Sequence, residues 1–287
     1  MPTPPWYRSE HPVPAFAPGV PVPPGHGSGE RQPHGRGRLR ALVAVLCLVL
    51  GLGLLGGAAA GSLLGGEAGA ESAAEVMYEQ GGARWRTAPV DAIFPPALRG
   101  DGAGPGGADR TWRRIAVAPD SGCAGAFDPL LAKALAPVGC ARLLRATYAD
   151  ATTTSVTTVG LLVTKADAGQ MGALQRRFED EGLSERRDLL PRPYAAKDTA
   201  AAGFGDAQRA SWQIKIRTDT PVVLYAVTGF ADGRKAADPQ PAIRAVTPGA
   251  TSVAAQAGLG HDAKGVCEQV EHAFVKGVKK AAEEASK

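Results

Sequence analysis

The sequence predicts an α+β fold: a largely antiparallel sheet with helices packed on it, preceded by a disordered tail and one transmembrane helix. Three observations carry this reading. Strand-like runs follow one another at hairpin spacing from residue 111 onward, two segments repeat apolar residues at helical spacing, and an uncharged apolar run stands directly behind a cluster of arginines.

The first forty residues hold ten of the chain's 23 prolines and show no apolar periodicity. Such a segment cannot bury enough surface to offset the entropy of ordering it, so residues 1–40 are expected to be a disordered, Pro-rich tail with polyproline II character. PxxP spacings at Pro18–Pro21 and Pro21–Pro24 suit an aromatic groove on a partner, although so many prolines produce such spacings by composition. Five arginines against Glu10 and Glu30 give the tail a balance of +3, and the rest of the chain is close to neutral. With no Lys/Arg cluster on the globular part, a nucleic-acid partner is not expected.

The tail's charge gathers in "RGRLR", Arg36 to Arg40, immediately before a stretch from Ala41 to Gly66 without one charged residue. Ala41 to Leu64 would extend about 36 Å as a helix, more than a hydrocarbon core of about 30 Å. Arginines before it, with Glu67 and Glu71 after it, predict a cytoplasmic N-terminus and an extracytoplasmic C-terminal part. A cleavable signal peptide is the rival reading, with small-x-small sites at Ala58–Ala60 and Ala68–Ala70. A forty-residue n-region argues against it, so residues 41–66 are read as an uncleaved signal anchor in the cell membrane. Gly53, Gly57, Gly61 and Gly65 lie at fourfold spacing and form a strip suited to packing against a second copy or a partner helix.

Residues 67–110, ending in "RGDGAGPGGADR", read as a flexible spacer, within which Trp85, Ile93 and Phe94 are apolar enough to dock on the domain. The RGD at Arg99–Asp101 is too short a match to carry an adhesion role. The domain itself is placed at residues 111–287. "TWRRIAVAP" is a short strand, and Asp128–Pro129 is an N-cap followed by a first helical proline, opening a helix that stops before Pro137. "ARLLRATY" and "TTSVTTVGLLVT" form a hairpin turning at Ala149–Thr152, the second run being apolar on both faces, as a central strand is. Asp167 with Gln170 makes a capping box for a helix whose Met171, Leu174 and Phe178 share one face, ended by Gly182. Trp212, Ile214 and Ile216 alternate with Gln213, Lys215 and Arg217 in a half-buried strand, "TDTP" turns, and "VVLYAVTGF" returns. Residues 236–260 read as a Pro/Gly/Ala-rich loop, ordered or semi-ordered. A last helix from about Asp262 carries Val266, Val270, Phe274 and Val278 at fourfold spacing.

Outside the apolar run, Cys123 and Cys140 bracket the short Asp128 helix, and an oxidising compartment favours a disulfide between them, constraining the unfolded chain by about 3 kcal/mol. Cys267 lies beside the Val266/Val270 stripe and is expected to be a buried thiol. No cofactor or metal is implied. Asp128, Asp150, Asp167 and Asp206 fall at caps and turns, where Asp is favoured for local hydrogen bonds. Ser252, His261 and Asp262 could supply a hydrolytic set, yet adjacent His-Asp at a glycine-flanked helix start is better explained as capping and no nucleophile-elbow pattern surrounds the serine, so no enzyme is expected.

"LLRATYADATTTSVTTVGLLVT" and "GFGDAQRASWQIKIRTDTPVVLYAVTGFADGR" resemble a group of uncharacterised single-pass membrane proteins of high-GC actinobacteria, over roughly residues 111–235. The resemblance implies a Pro-rich cytoplasmic tail, one membrane helix and a Cys-containing external domain, and transfers no catalytic motif. The expected function is a membrane-anchored extracytoplasmic interaction or scaffold protein, accessory to envelope or secretion machinery. The alternatives are a transmembrane sensor and an envelope hydrolase using His261 and a carboxylate.

Overall fold

The computed structural model of the chain describes residues 45–49, 73–119 and 122–286. It divides into two units, residues 1–62 and 63–287. In the first, residues 45–49 are helical with exposed side chains, Cys47 among them. The tail over 1–40 and the glycines Gly53, Gly57, Gly61 and Gly65 lie outside the described residues. Among those residues, no helix is long and apolar enough to cross a membrane.

The second unit is α+β, built on a seven-stranded sheet in the order β1-β2-β3-β4-β6-β5-β7. The strands are β1 (Ala97–Gly100), β2 (Arg110–Val117), β3 (Arg142–Asp150), β4 (Ser155–Val163), β5 (Ser211–Ile216), β6 (Val222–Phe230) and β7 (Gln240–Pro241). Every pairing is antiparallel except β5 with β7. The helices are α1 over 73–87, α2 (Val90–Ile93), α3 (Pro129–Leu135), α4 (Ala168–Asp180), α5 (Ala242–Ala245), α6 (Val253–Gln256) and α7 (Leu259–Ala285). The two-residue β7 continues directly into α5.

Because side chains alternate along a strand, β3, β4 and β6 feed two cores at once. On one face, Tyr148, Val159, Leu161, Leu224 and Ala226 pack with Val266, Val270, Phe274 and Val278 of α7. On the other, Leu143, Val156, Leu162, Tyr225 and Val227 pack with Leu131 of α3 and Met171, Leu174 and Phe178 of α4. All nine residues of β4 and all nine of β6 are buried. This is why both sequences read as near-continuous apolar or threonine runs.

The apolar stripe of α7, the capping box of Asp167 with Gln170, and the strand pairs form as their sequences predict. Cys123 and Cys140 are joined in a disulfide with Cα atoms 6.4 Å apart, tying the segment before α3 to the start of β3. Helix α7 starts three residues earlier than expected, at Leu259, because Gly258 takes a left-handed conformation (φ 72°) that lets the chain enter it. The β3–β4 turn falls two residues later than expected, since Asp150 stays in the strand and its carboxylate gathers the turn's N–H groups.

Two expectations are corrected. Residues 236–260 are not a plain loop: β7, α5 and α6 form there, with Ala242, Ala245 and Ala254 buried, and small side chains let these segments sit close against the domain. More consequentially, residues 73–107 are no spacer. Helix α1 packs Met77 and Trp85 on the α7 side of the sheet, Tyr78 Oη donates to the Ala166 carbonyl at 2.7 Å, and Ile93, Phe94 and Leu98 are buried. The glycines that read as flexibility instead permit contact. A Cβ on Gly100 would lie 2.6 Å from Ala103 Cβ and 2.9 Å from the Trp112 ring, and one on Gly265 in α7 would collide with the same six-membered end of that ring. Gly265→Ala is therefore expected to cost about 1–3 kcal/mol through overpacking, seen as a lower midpoint in denaturant with an unchanged slope.

Candidate functional site

The residues singled out for chemistry at the start of α7 do not converge. Successive helical residues point about 100° apart, so His261 and Asp262, neighbours in sequence, face different surroundings. His261 Nδ1 sits 2.8 Å from the Ala103 carbonyl, at a polar cleft of about 360 Å³ that Asp101, Lys264 and Glu268 also line. Asp262 turns into the core, fully buried. Ser252 is the N-cap of α6, its hydroxyl accepting from the Ala255 N–H at 3.2 Å. Each of the three is committed to a different partner.

Asp262 is instead the hub of a buried polar cluster. One carboxylate oxygen accepts from Trp112 Nε1 at 2.9 Å and from Arg110 Nε at 3.0 Å and Nη2 at 2.5 Å, while the other accepts from Ser155 Oγ at 2.7 Å. Arg110 and Trp112 share one face of β2, and Ser155 opens β4. The cluster therefore pins α7 to two strands of the sheet. The expectation that Asp262 serves as a helix cap is corrected here, because it lies inside the helix and spends its lone pairs across the core. Nothing local in the sequence marks this, since its partners stand 107 to 152 residues away.

The other carboxylates also have structural partners. Asp128 occupies the N-cap position of α3, but its side chain makes no cap bond. It accepts from Arg209 at 2.8 Å and Arg192 at 3.3 Å, and Arg192 also reaches Asp206 at 3.4 Å. Burial pushes the Asp150 carboxyl up, but the Thr152 hydroxyl and the N–H groups of Ser155, Thr152 and Thr154 outweigh it and hold the group below the usual range. Burial, with Glu271 nearby, pushes the Cys267 thiol up to about 12, so it stays neutral and unreactive. Among the described residues, no group of three or more His, Cys, Asp or Glu could hold a metal ion.

A second feature lies at the far end of β3. An open cleft of about 430 Å³ is floored by Phe94 and Leu144 and rimmed by Val90, Val117, Arg86 and Arg142. The Arg86 and Arg142 guanidinium carbons stand 4.7 and 5.0 Å from the centroid of the Trp85 ring, within cation–π range. Val90 and Val117, exposed by 47% and 38%, are among the few large apolar side chains the domain leaves in water. Reading the sequence caught Trp85 as a docking residue but not this cleft, which forms only where α1, β2 and β3 meet. Compared with known protein families, curated proteins and solved structures, the chain matches none.

Two outcomes test these assignments. Asp262→Ala leaves Arg110, Trp112 and Ser155 without their common acceptor and is expected to cost about 3–5 kcal/mol in equilibrium unfolding. Asp150, held below its unfolded value, contributes stability that is present above about pH 4 and lost as pH falls through the folded value. Asp150→Asn should accordingly flatten the acid limb of a stability-versus-pH profile.

Proposed function

We propose that this chain is a membrane-anchored extracytoplasmic interaction or scaffold protein, accessory to envelope or secretion machinery. The observation that carries the reading is the Cys123–Cys140 disulfide, in a domain that follows an arginine-flanked apolar segment. A disulfide that ties the segment before α3 to the residues leading into β3 persists in an oxidising compartment, which fits a domain exported behind an anchor with its N-terminus in the cytoplasm. The separate commitments of Ser252, His261 and Asp262 give the hydrolase alternative no assembled set, so binding is the activity favoured for the domain. The fourfold glycines Gly53, Gly57, Gly61 and Gly65 would let the anchor pair with another copy or with a partner's helix.

Protease protection tests the topology. With an epitope tag at each end of the full chain, intact cells stripped of their wall should lose the C-terminal tag to added protease and keep the N-terminal one. Retention of the C-terminal tag, with the disulfide reduced in freshly quenched cells, would overturn the reading.

A further inference from the structure

Strand β1 ends the sheet, with β2 on one side and no strand on the other. The Pro96 carbonyl accepts from the Arg114 N–H at 2.9 Å, and along an antiparallel strand alternate residues direct their backbone groups to opposite sides. Leu98 and Gly100 therefore bond towards β2, opposite Trp112 and Arg110, while Ala97 and Arg99 turn their N–H and C=O groups outwards. The same alternation holds across β2, where the Thr111 carbonyl accepts from the Ala151 N–H on the β3 side at 3.0 Å. Ala97 and Arg99 are both exposed, and among the described residues nothing else bonds to their outward groups.

The side chains along this edge are as one-sided as its backbone. Leu98 and Trp112 enter the core under α7, so Ala97, Arg99, Thr111 and Arg113 face the other way. Arg99 stands opposite Thr111 and diagonal to Arg113, about 7–8 Å away, and both arginines are exposed. Among the described residues neither has an ion-pair partner. Two like charges so placed repel each other until an anion lies between them. Proteins blunt free edges with short strands and charge, and these arginines do so against a second copy. Antiparallel self-pairing would gather four arginines on one continuous face, with no carboxylate in β1 or β2 to offset them. The same charges favour an acidic strand, so one device excludes the first occupant and selects the second.

We infer that the free edge of β1 takes up an extended, acidic segment of a protein partner as an eighth strand, antiparallel to β1. Partner residues directly opposite Ala97 and Arg99 exchange backbone bonds with them and share their face of the sheet, which brings carboxylates at those positions to Arg99 and Arg113. Within β1 only two residues offer outward groups, so the segment is short and its binding reversible. The inference deepens the interaction reading above and rests on it only for the compartment in which the partner is found.

The test uses the full chain in detergent micelles and a fluorescein-labelled hexapeptide of alternating glutamate and valine, with binding read by fluorescence anisotropy. Saturable binding is expected. It should weaken about tenfold in Arg99→Glu and in Arg113→Glu, the scale of reversing one exposed charge, with folding checked by thermal midpoint. In antiparallel addition the glutamates are the residues that bond to the edge. N-methylation of their nitrogens should therefore abolish binding, whereas N-methylation of the valine nitrogens, which point away from β1, should leave it. A lysine–valine hexapeptide should not bind. Binding of the glutamate-methylated or lysine peptide as tightly as the parent would overturn the site, as would the absence of any peptide binding. Arg99-dependent binding of soluble dihexanoyl phosphatidylglycerol without peptide binding would also overturn it, and would reassign the arginines to lipid headgroups. Peptide binding by a domain that protease protection places inside the cell would defeat the topology and leave the site standing, and the converse result would do the reverse.

Discussion

A carboxylate removed entirely from water is costly unless its lone pairs are filled, and Asp262 fills its own with four donors from three side chains. Those side chains come from β2 and β4, so the requirement fixes where α7 lies on the sheet and how deep it sits. Trp112 has to present its indole N–H to the carboxylate, and that places the ring between Gly100 on β1 and Gly265 on α7. The edge strand, the second strand and the long helix are thus positioned by one polar demand. The apolar stripe from Val266 to Val278 supplies burial along the remaining length, but it would tolerate sliding by a turn. The buried acid does not.

The opposite face of the sheet is organised differently. There α3 and α4 pack through ordinary side chains, and the chain is tied by the Cys123–Cys140 bridge and by Asp128, which draws Arg192 and Arg209 to the start of α3. These ties are nearer the surface, and the exposed ion pairs among them contribute little each. The consequence is a domain whose register is set from the α7 side. Its opposite face closes long loops that carry few regular elements between residues 183 and 210.

Much of the fold was legible in the sequence because the signals were local. The stripe on α7, the capping box at Asp167, and the contrast between the fully buried β4 and the alternating β5 depend only on neighbours within a turn or a strand. The candidate site was barely legible. Residues 67–110 read as a spacer because glycine, proline and aspartate are the same letters in a flexible linker and in a closely packed one. What distinguishes them is Thr220 lying against Gly81, Trp112 against Gly100, and Leu98 in the core, contacts that form only once the chain has packed. The cleft beside Trp85 was equally invisible, since it forms only where α1, β2 and β3 meet.

By itself, the sequence determined the α+β class, the strands β2 to β6 with helices α3, α4 and α7, and the cysteine pair most apt to bridge. Periodicity and turn chemistry act over a few residues, and a bridge spanning a single short helix leaves few alternatives. Only the tertiary structure decided that residues 73–107 belong to the domain, that Asp262 is a core acid facing away from His261, and that a cleft forms beside Trp85. Each of these depends on groups brought together from scores of residues apart. At that distance, packing and desolvation determine the outcome, and neither is written in any one stretch of the chain.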